Sequence, residues 1–185
     1  MKKDVHFYVK ILTYNSIIAT LYVVLTLLTQ PIAYSYMQLR LSEMLCILVF
    51  FNPHYTLGLT LGCFLANLFS TVGPLDMLMG TGATLIACLI MVGLSYCIKN
   101  MLLSAFIPAI VNALIIPWDI YISSLGSPDP MVMSPGLFFT MAGWIFLGEF
   151  IALIVIGYPI FLIMLKKMKN FSKLFFTIHN EDVKW

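Results

Sequence analysis

The 185-residue chain is 61% hydrophobic and 10% charged, with mean hydropathy +0.99 and a net charge of +2. A soluble domain carries roughly 25% charged residues to solvate its surface, so this composition excludes a core covered by water-facing polar groups. The positive excess comes from short Lys clusters near the ends, which excludes a nucleic-acid-binding surface.

No Lys, Arg, Asp or Glu occurs in 11–39, 44–75, 77–98 or 100–118. A bilayer span needs about 20 apolar residues, so the chain reads as an all-α, multi-pass membrane protein. Lys2, Lys3 and Lys10 precede an apolar run that is long, lacks a small-x-small cleavage site and leads into further apolar runs. It is a first helix, about 11–30, and not a signal peptide. The 44–75 stretch exceeds one span and breaks at Asn52-Pro53, a turn signal. That predicts a short second helix over 38–52 and a third over 55–71. Gly73-Pro74 opens a fourth helix over 75–98, and Lys99-Asn100 separates it from a fifth over 101–122. Ser123 to Pro130 is a loop, and a sixth helix runs over 136–165. The expectation is one six-helix domain over 1–170 and a cytoplasmic tail over 171–185, in which Phe171, Phe175 and Phe176 stand near the inner interface.

Lys2, Lys3, Lys10, Lys99, Lys166, Lys167, Lys169 and Lys173 fall on the side shared by both termini and the fourth connection. The positive-inside rule makes that side cytoplasmic. Gly58, Gly62 and Ala66, and likewise Ala105, Ala109 and Ala113, recur at four-residue intervals. Such rows let helix backbones approach closely in lipid, chiefly within one bundle and less often against a partner. Cys46, Cys63, Cys88 and Cys97 stand singly with no metal spacing. No nucleotide loop, HExxH or GxSxG is present, so neither a cofactor nor a metal is expected and any ATP is handled by another chain.

Charges inside a bilayer cost at least about 2.5–3.5 kcal/mol each, so Arg40, Glu43, Asn67, Asp76, Asn112, Asp119 and Glu149 each need a reason. At about 1.5 Å per helical residue, Glu43, Arg40, Asn67, Asn112 and Glu149 reach the outer half of the core, with Asp76 and Asp119 near the rim. This predicts a site open to the outside. Bland roles stand beside the functional one: an Arg40–Glu43 pair at i,i+3, Asp76 stabilising a helix start, and Asp119 reaching outside water. Asn67 and Asn112 serve equally as interhelical hydrogen bonds, Glu149 as an ion-pair partner of Arg40, and Trp118 and Tyr121 as an aromatic belt. One Arg against four acids leaves a net negative cavity, suited to a cation or a heterocycle rich in N–H donors. Arg40 and Gln38 are placed to donate to a carbonyl oxygen.

Gln38-Leu39-Arg40-Leu41-Ser42-Glu43, Phe51-Asn52-Pro53, Gly58 to Gly62-Cys63 and Ala66-Asn67 together resemble the queuosine-precursor transporter (QueT) family. Pro74-Leu75-Asp76 with Gly80 and Thr84, Pro108 to Asn112-Ala113, and Gly148-Glu149 extend the likeness over about 19–159. The resemblance implies a six-helix S component of a prokaryotic energy-coupling factor (ECF) transporter. It also implies a transmembrane coupling subunit and two ATPases as partners, and 7-aminomethyl-7-deazaguanine as substrate. Where such components often carry Ala-x-x-x-Ala on the first helix, this chain has Ser16, Ala19 and Thr20. The ligand's N1–H and 2-amino edge suits a carboxylate, either Glu43 or Glu149. Its ammonium suits Asp76 or Asp119, its oxygen suits Arg40 with Gln38, and Asn67 and Asn112 orient the ring. The set of candidate contacts is Gln38, Arg40, Glu43, Asn67, Asp76, Asn112, Trp118, Asp119 and Glu149. Three alternatives remain: an S component for another vitamin or nucleobase, a stand-alone proton-coupled carrier, and an intramembrane enzyme with paired acids. The carrier lacks a visible inverted repeat, and the enzyme lacks any nucleophile–base spacing.

Overall fold

The computed structural model describes residues 2–35, 37–70, 74–97 and 100–167. The expected tail over 171–185 lies outside the described residues. The described residues are mainly helical, with no strand among them. Helix α1 (Lys2–Leu28) begins well before residue 11, because Lys2, Lys3 and Lys10 lengthen a helix that is apolar only further on. A four-residue α2 (Gln30–Ala33) follows, with Pro31 in its first turn. Residues 38–40 are not helical, which corrects the expected helix over 38–52. Helical winding starts as a 3₁₀ segment (Leu41–Cys46) and continues as α3 (Ile47–Phe51). Asn52 then turns the chain, its Oδ1 accepting from the His54 N–H at 3.1 Å. Next come α4 (Tyr55–Asn67), α5 (Asp76–Ser95) and α6 (Met101–Ser124). Asn100 caps α6 through the N–H groups of Leu102 and Leu103. Ser134 caps α7 (Pro135–Phe150), which passes through a π-helical segment (Ile151–Gly157) into α8 (Tyr158–Lys167).

Four stretches are long and apolar enough to cross a membrane: Phe7–Leu28, Asp76–Ser95, Met101–Ser124 and Pro135–Lys167. The second and third expected spans are shorter. Leu41–Phe51 divides into six 3₁₀ and five α-helical residues, and α4 has 13. At about 1.5 Å per residue, α4 reaches roughly two-thirds of a 30 Å hydrocarbon core.

The bundle is ordered by close backbone approaches. α1 packs on α4, and α4, α5, α6 and α7 pack in succession. A Cβ on Gly58 would stand 2.6 Å from the Asn15 carbonyl oxygen, and one on Gly62 would stand 2.8 Å from Tyr22 Cβ. The Gly58 N–H instead donates to Asn15 Oδ1 at 2.6 Å. The Gly58, Gly62, Ala66 row therefore faces α1, and Ala105, Ala109 and Ala113 are also buried within the bundle. Neither row is left for an external partner. Ser16 and Thr20 are exposed, their hydroxyls donating to the Leu12 and Ser16 carbonyls. α3 is buried on every side, as an all-apolar helix requires. It carries the 3₁₀ segment into the interior, where Gly157 admits Met44 and Gly148 admits the Met37 carbonyl.

Candidate binding site

Asn15 and Gly58 set the register of α1, which places Tyr22, two turns further along the same face, over the 3₁₀ segment. The Tyr22 hydroxyl donates to Glu43 Oε1. Thr84 Oγ1 on α5 donates to the same oxygen at 3.2 Å, and Cys46 Sγ donates to Glu43 Oε2 at 3.1 Å. One turn nearer the α1 terminus, Thr26 Oγ1 donates to Ser42 Oγ at 2.7 Å. Both oxygens of the Glu43 carboxylate are thus taken by the protein's own groups.

Closer to the end of the bundle that carries the 125–134 connection, Arg40 Nη2 lies 3.2 Å from Asp76 Oδ2. Both residues are buried, at 3% and 0% exposure. This pairing corrects two expectations. Arg40 caps the helical turn from extended backbone, and the Glu43 N–H donates to its carbonyl at 3.0 Å, but the ion-pair partner of its side chain is Asp76, and neither Glu43 nor Glu149. The Arg40 guanidinium also lies over the Tyr34 ring, 5.1 Å from its centroid. Tyr34 is held in turn by donating to the Ala66 carbonyl at 2.9 Å. Asp76 starts α5 as expected, yet it is enclosed. A Cβ on Gly80 would stand 2.5 Å from Asp76 Oδ1, so only glycine leaves room for the carboxylate. Asn67 Nδ2 donates to the Asp76 carbonyl at 3.1 Å and ties the end of α4 to the start of α5.

Asp119 is fully buried beside Asp76, with Ser123 Oγ 3.5 Å from its Oδ1. It does not reach outside water. Deeper in, Asn112 Nδ2 donates to Glu149 Oε1 at 2.9 Å, joining α6 to α7. Glu149 faces the charges of Glu43 and Arg40. Its position follows from Gly148, which lets the Met37–Gln38 backbone come into van der Waals contact with α7. Gln38 adopts φ of 45°, the left-handed region that non-glycine residues rarely take, and its side chain is buried.

Eight of the nine predicted contacts are therefore buried, but not in one equivalent set. Arg40, Asn67, Asp76 and Asp119 form the shallower group, and Glu43, Asn112 and Glu149 the deeper one. Trp118 stands apart, 46% exposed and about 100° around α6 from Asp119, with its ring 5.5 Å from Phe138. The expected open site is instead enclosed. A cavity of about 420 Å³ lies outside it, lined by Tyr34, Gln38, Ile120 and four serines that include Ser123. Tyr34 and Ser123 connect that cavity to Arg40 and Asp119. Tyr22, Tyr34, Cys46 and Ser123 were not predicted as site residues, because hydroxyls and thiols are common in apolar helices and become informative only when a carboxylate or guanidinium lies opposite.

Five buried polar atoms of the cluster find no hydrogen-bond partner among the described residues. Four are Asn67 Oδ1, Asn112 Oδ1, Asp119 Oδ2 and Glu149 Oε2, all acceptors; the fifth, Arg40 Nε, is a donor. An unpaired buried polar atom costs about 1–3 kcal/mol, and here four of the five are acceptors and one a donor.

The profile of the QueT transporter family matches residues 12–166. The chain is 38% identical over 73 residues to the queuosine precursor transporter QueT of Lactococcus lactis subsp. cremoris (strain MG1363). That alignment covers 38% of the chain and 43% of the relative. No solved structure matches the chain.

Proposed function

Because the chain belongs to the QueT transporter family, we propose that it is the substrate-binding S component of an ATP-driven ECF importer for a queuosine precursor. It is a transport protein and not an enzyme. The substrate in this reading is 7-aminomethyl-7-deazaguanine or a close deazapurine. The observation that carries the reading is the excess of vacant acceptors over donors in the buried cluster. The deazapurine has an N1–H, a 2-amino group, a pyrrole N–H and a primary ammonium, against a carbonyl oxygen and the ring N3. Vitamins whose polar edges are mainly acceptors would leave these oxygens unpaired. The named relative is a queuosine precursor transporter, which favours the same ligand.

In this reading the chain crosses the bilayer six times, with Leu41–Phe51 and α4 as short spans; Leu41–Phe51 is enclosed by neighbouring helices, while α4 turns Leu57, Leu61 and Leu65 outward. Both termini are cytoplasmic in this reading, which the Lys distribution supports, and the cluster lies near the outer face. The chain carries no nucleotide-binding motif, so a coupling subunit and two ATPases supply the energy. Binding by the purified protein to a panel of the deazapurine, guanine, thiamine, riboflavin and biotin tests the substrate. The deazapurine is expected to bind most tightly. Tighter binding of any of the three vitamins would overturn the assignment.

A further inference from the structure

The acids of the cluster are not interchangeable, and their hydrogen bonds separate them. Glu43 receives Tyr22 and Thr84 on one oxygen and Cys46 on the other. Asp76 is committed to Arg40. Glu149 is different: Asn112 Nδ2 occupies its Oε1, while its Oε2 and Asn112 Oδ1 are both vacant among the described residues. Both residues are at least 96% buried. The bond between them joins two residues that each keep one free acceptor, one from α6 and one from α7.

We infer that Glu149 and Asn112 read the N1–H and 2-amino edge of a guanine-type base, and that Glu43 is a positioning residue that never meets the ligand. Two acceptors on bonded residues match two adjacent N–H donors, as a carboxylate matches a fork of donors. A base lacking the 2-amino group fills one acceptor and leaves the other buried and unpaired. Asp119 stands seven residues beyond Asn112 on α6, almost directly in line on the same face and about 10 Å along the axis. Its vacant Oδ2 is therefore placed for a cationic arm at the other end of a bicyclic ring. This assignment rests on the deazapurine reading for the arm, but the base edge is testable without it.

The test compares two ligand pairs by equilibrium binding to the purified full chain: 7-aminomethyl-7-deazaguanine against its 2-deamino analogue, and guanine against hypoxanthine. The 2-amino member of each pair is expected to bind at least about 100-fold more tightly. Glu149→Gln presents an N–H where the base also presents one, and should reduce that ratio to within about 5-fold. Tyr22→Phe, which removes one of the two donors to Glu43 Oε1, should leave the ratio unchanged. If Glu149→Gln fails to fold, Glu149→Met carries the same expectation, since it removes the carboxylate and its vacant Oε2. A ratio that survives Glu149→Gln or Glu149→Met, or that collapses in Tyr22→Phe, overturns the assignment. Binding of the guanine pair with the predicted ratios, but of neither aminomethyl compound, supports the edge and removes the deazapurine reading. Binding of none of the four overturns both.

Discussion

Arg40 and Asp76 illustrate how a buried pair constrains the molecule around it. Removing one partner leaves an uncompensated charge in a site with 0–3% exposure. Arg40→Leu or Asp76→Leu alone should cost about 3–5 kcal/mol, whereas the double variant should recover most of that loss. Thermal melting in detergent measures all three, and a double variant as unstable as either single would contradict the pairing. Tyr22→Phe removes one of three donors to Glu43 and should cost about 1–3 kcal/mol. At this scale the sequence was informative where a residue was chemically out of place. Arg40, Glu43, Asp76, Asp119 and Glu149 stand out because each interrupts an apolar run, and Asn67 and Asn112 were legible for the same reason. Their partners were not legible. Which acid meets Arg40 depends on an extended 38–40 segment and a glycine at position 80, and neither follows from composition or spacing.

The helices themselves were visible as apolar runs between Pro, Asn and Gly punctuation, while their winding was not. The 3₁₀ turn at Leu41–Cys46 and the π segment at Ile151–Gly157 have the same apolar character as their α-helical neighbours. Both are imposed by contact. Met44 seats on Gly157, so the two irregular segments fit each other. Glycines on α4 act differently from those on α5. Gly62→Ala places a Cβ 2.8 Å from Tyr22 Cβ and should cost about 1–3 kcal/mol through overpacking. Gly82→Ala and Gly93→Ala meet open space and should stabilise α5 by about 0.5–1 kcal/mol, since glycine is unfavourable within a helix. Melting temperatures that fall equally in all three variants would contradict the packing of α1 on α4.

For the whole molecule, orientation and energy supply decide what the bundle does. Cys97 is exposed at one end, and Gly126 is exposed in the connection at the other. With the termini inside, native Cys97 should react with an impermeant thiol reagent only after cells are permeabilised. In a Cys97→Ser background, Gly126→Cys should react on intact cells. Reversed labelling would place the cavity beside Gln38 on the cytoplasmic side. The most direct test of the account is uptake by proteoliposomes that contain the chain alone, compared with vesicles that also hold a coupling subunit and two ATPases. The chain alone should bind 7-aminomethyl-7-deazaguanine without accumulating it, with or without a proton gradient, and concentrative uptake should require the partners and ATP. Gradient-driven accumulation by the chain alone would contradict the account and establish a self-sufficient carrier.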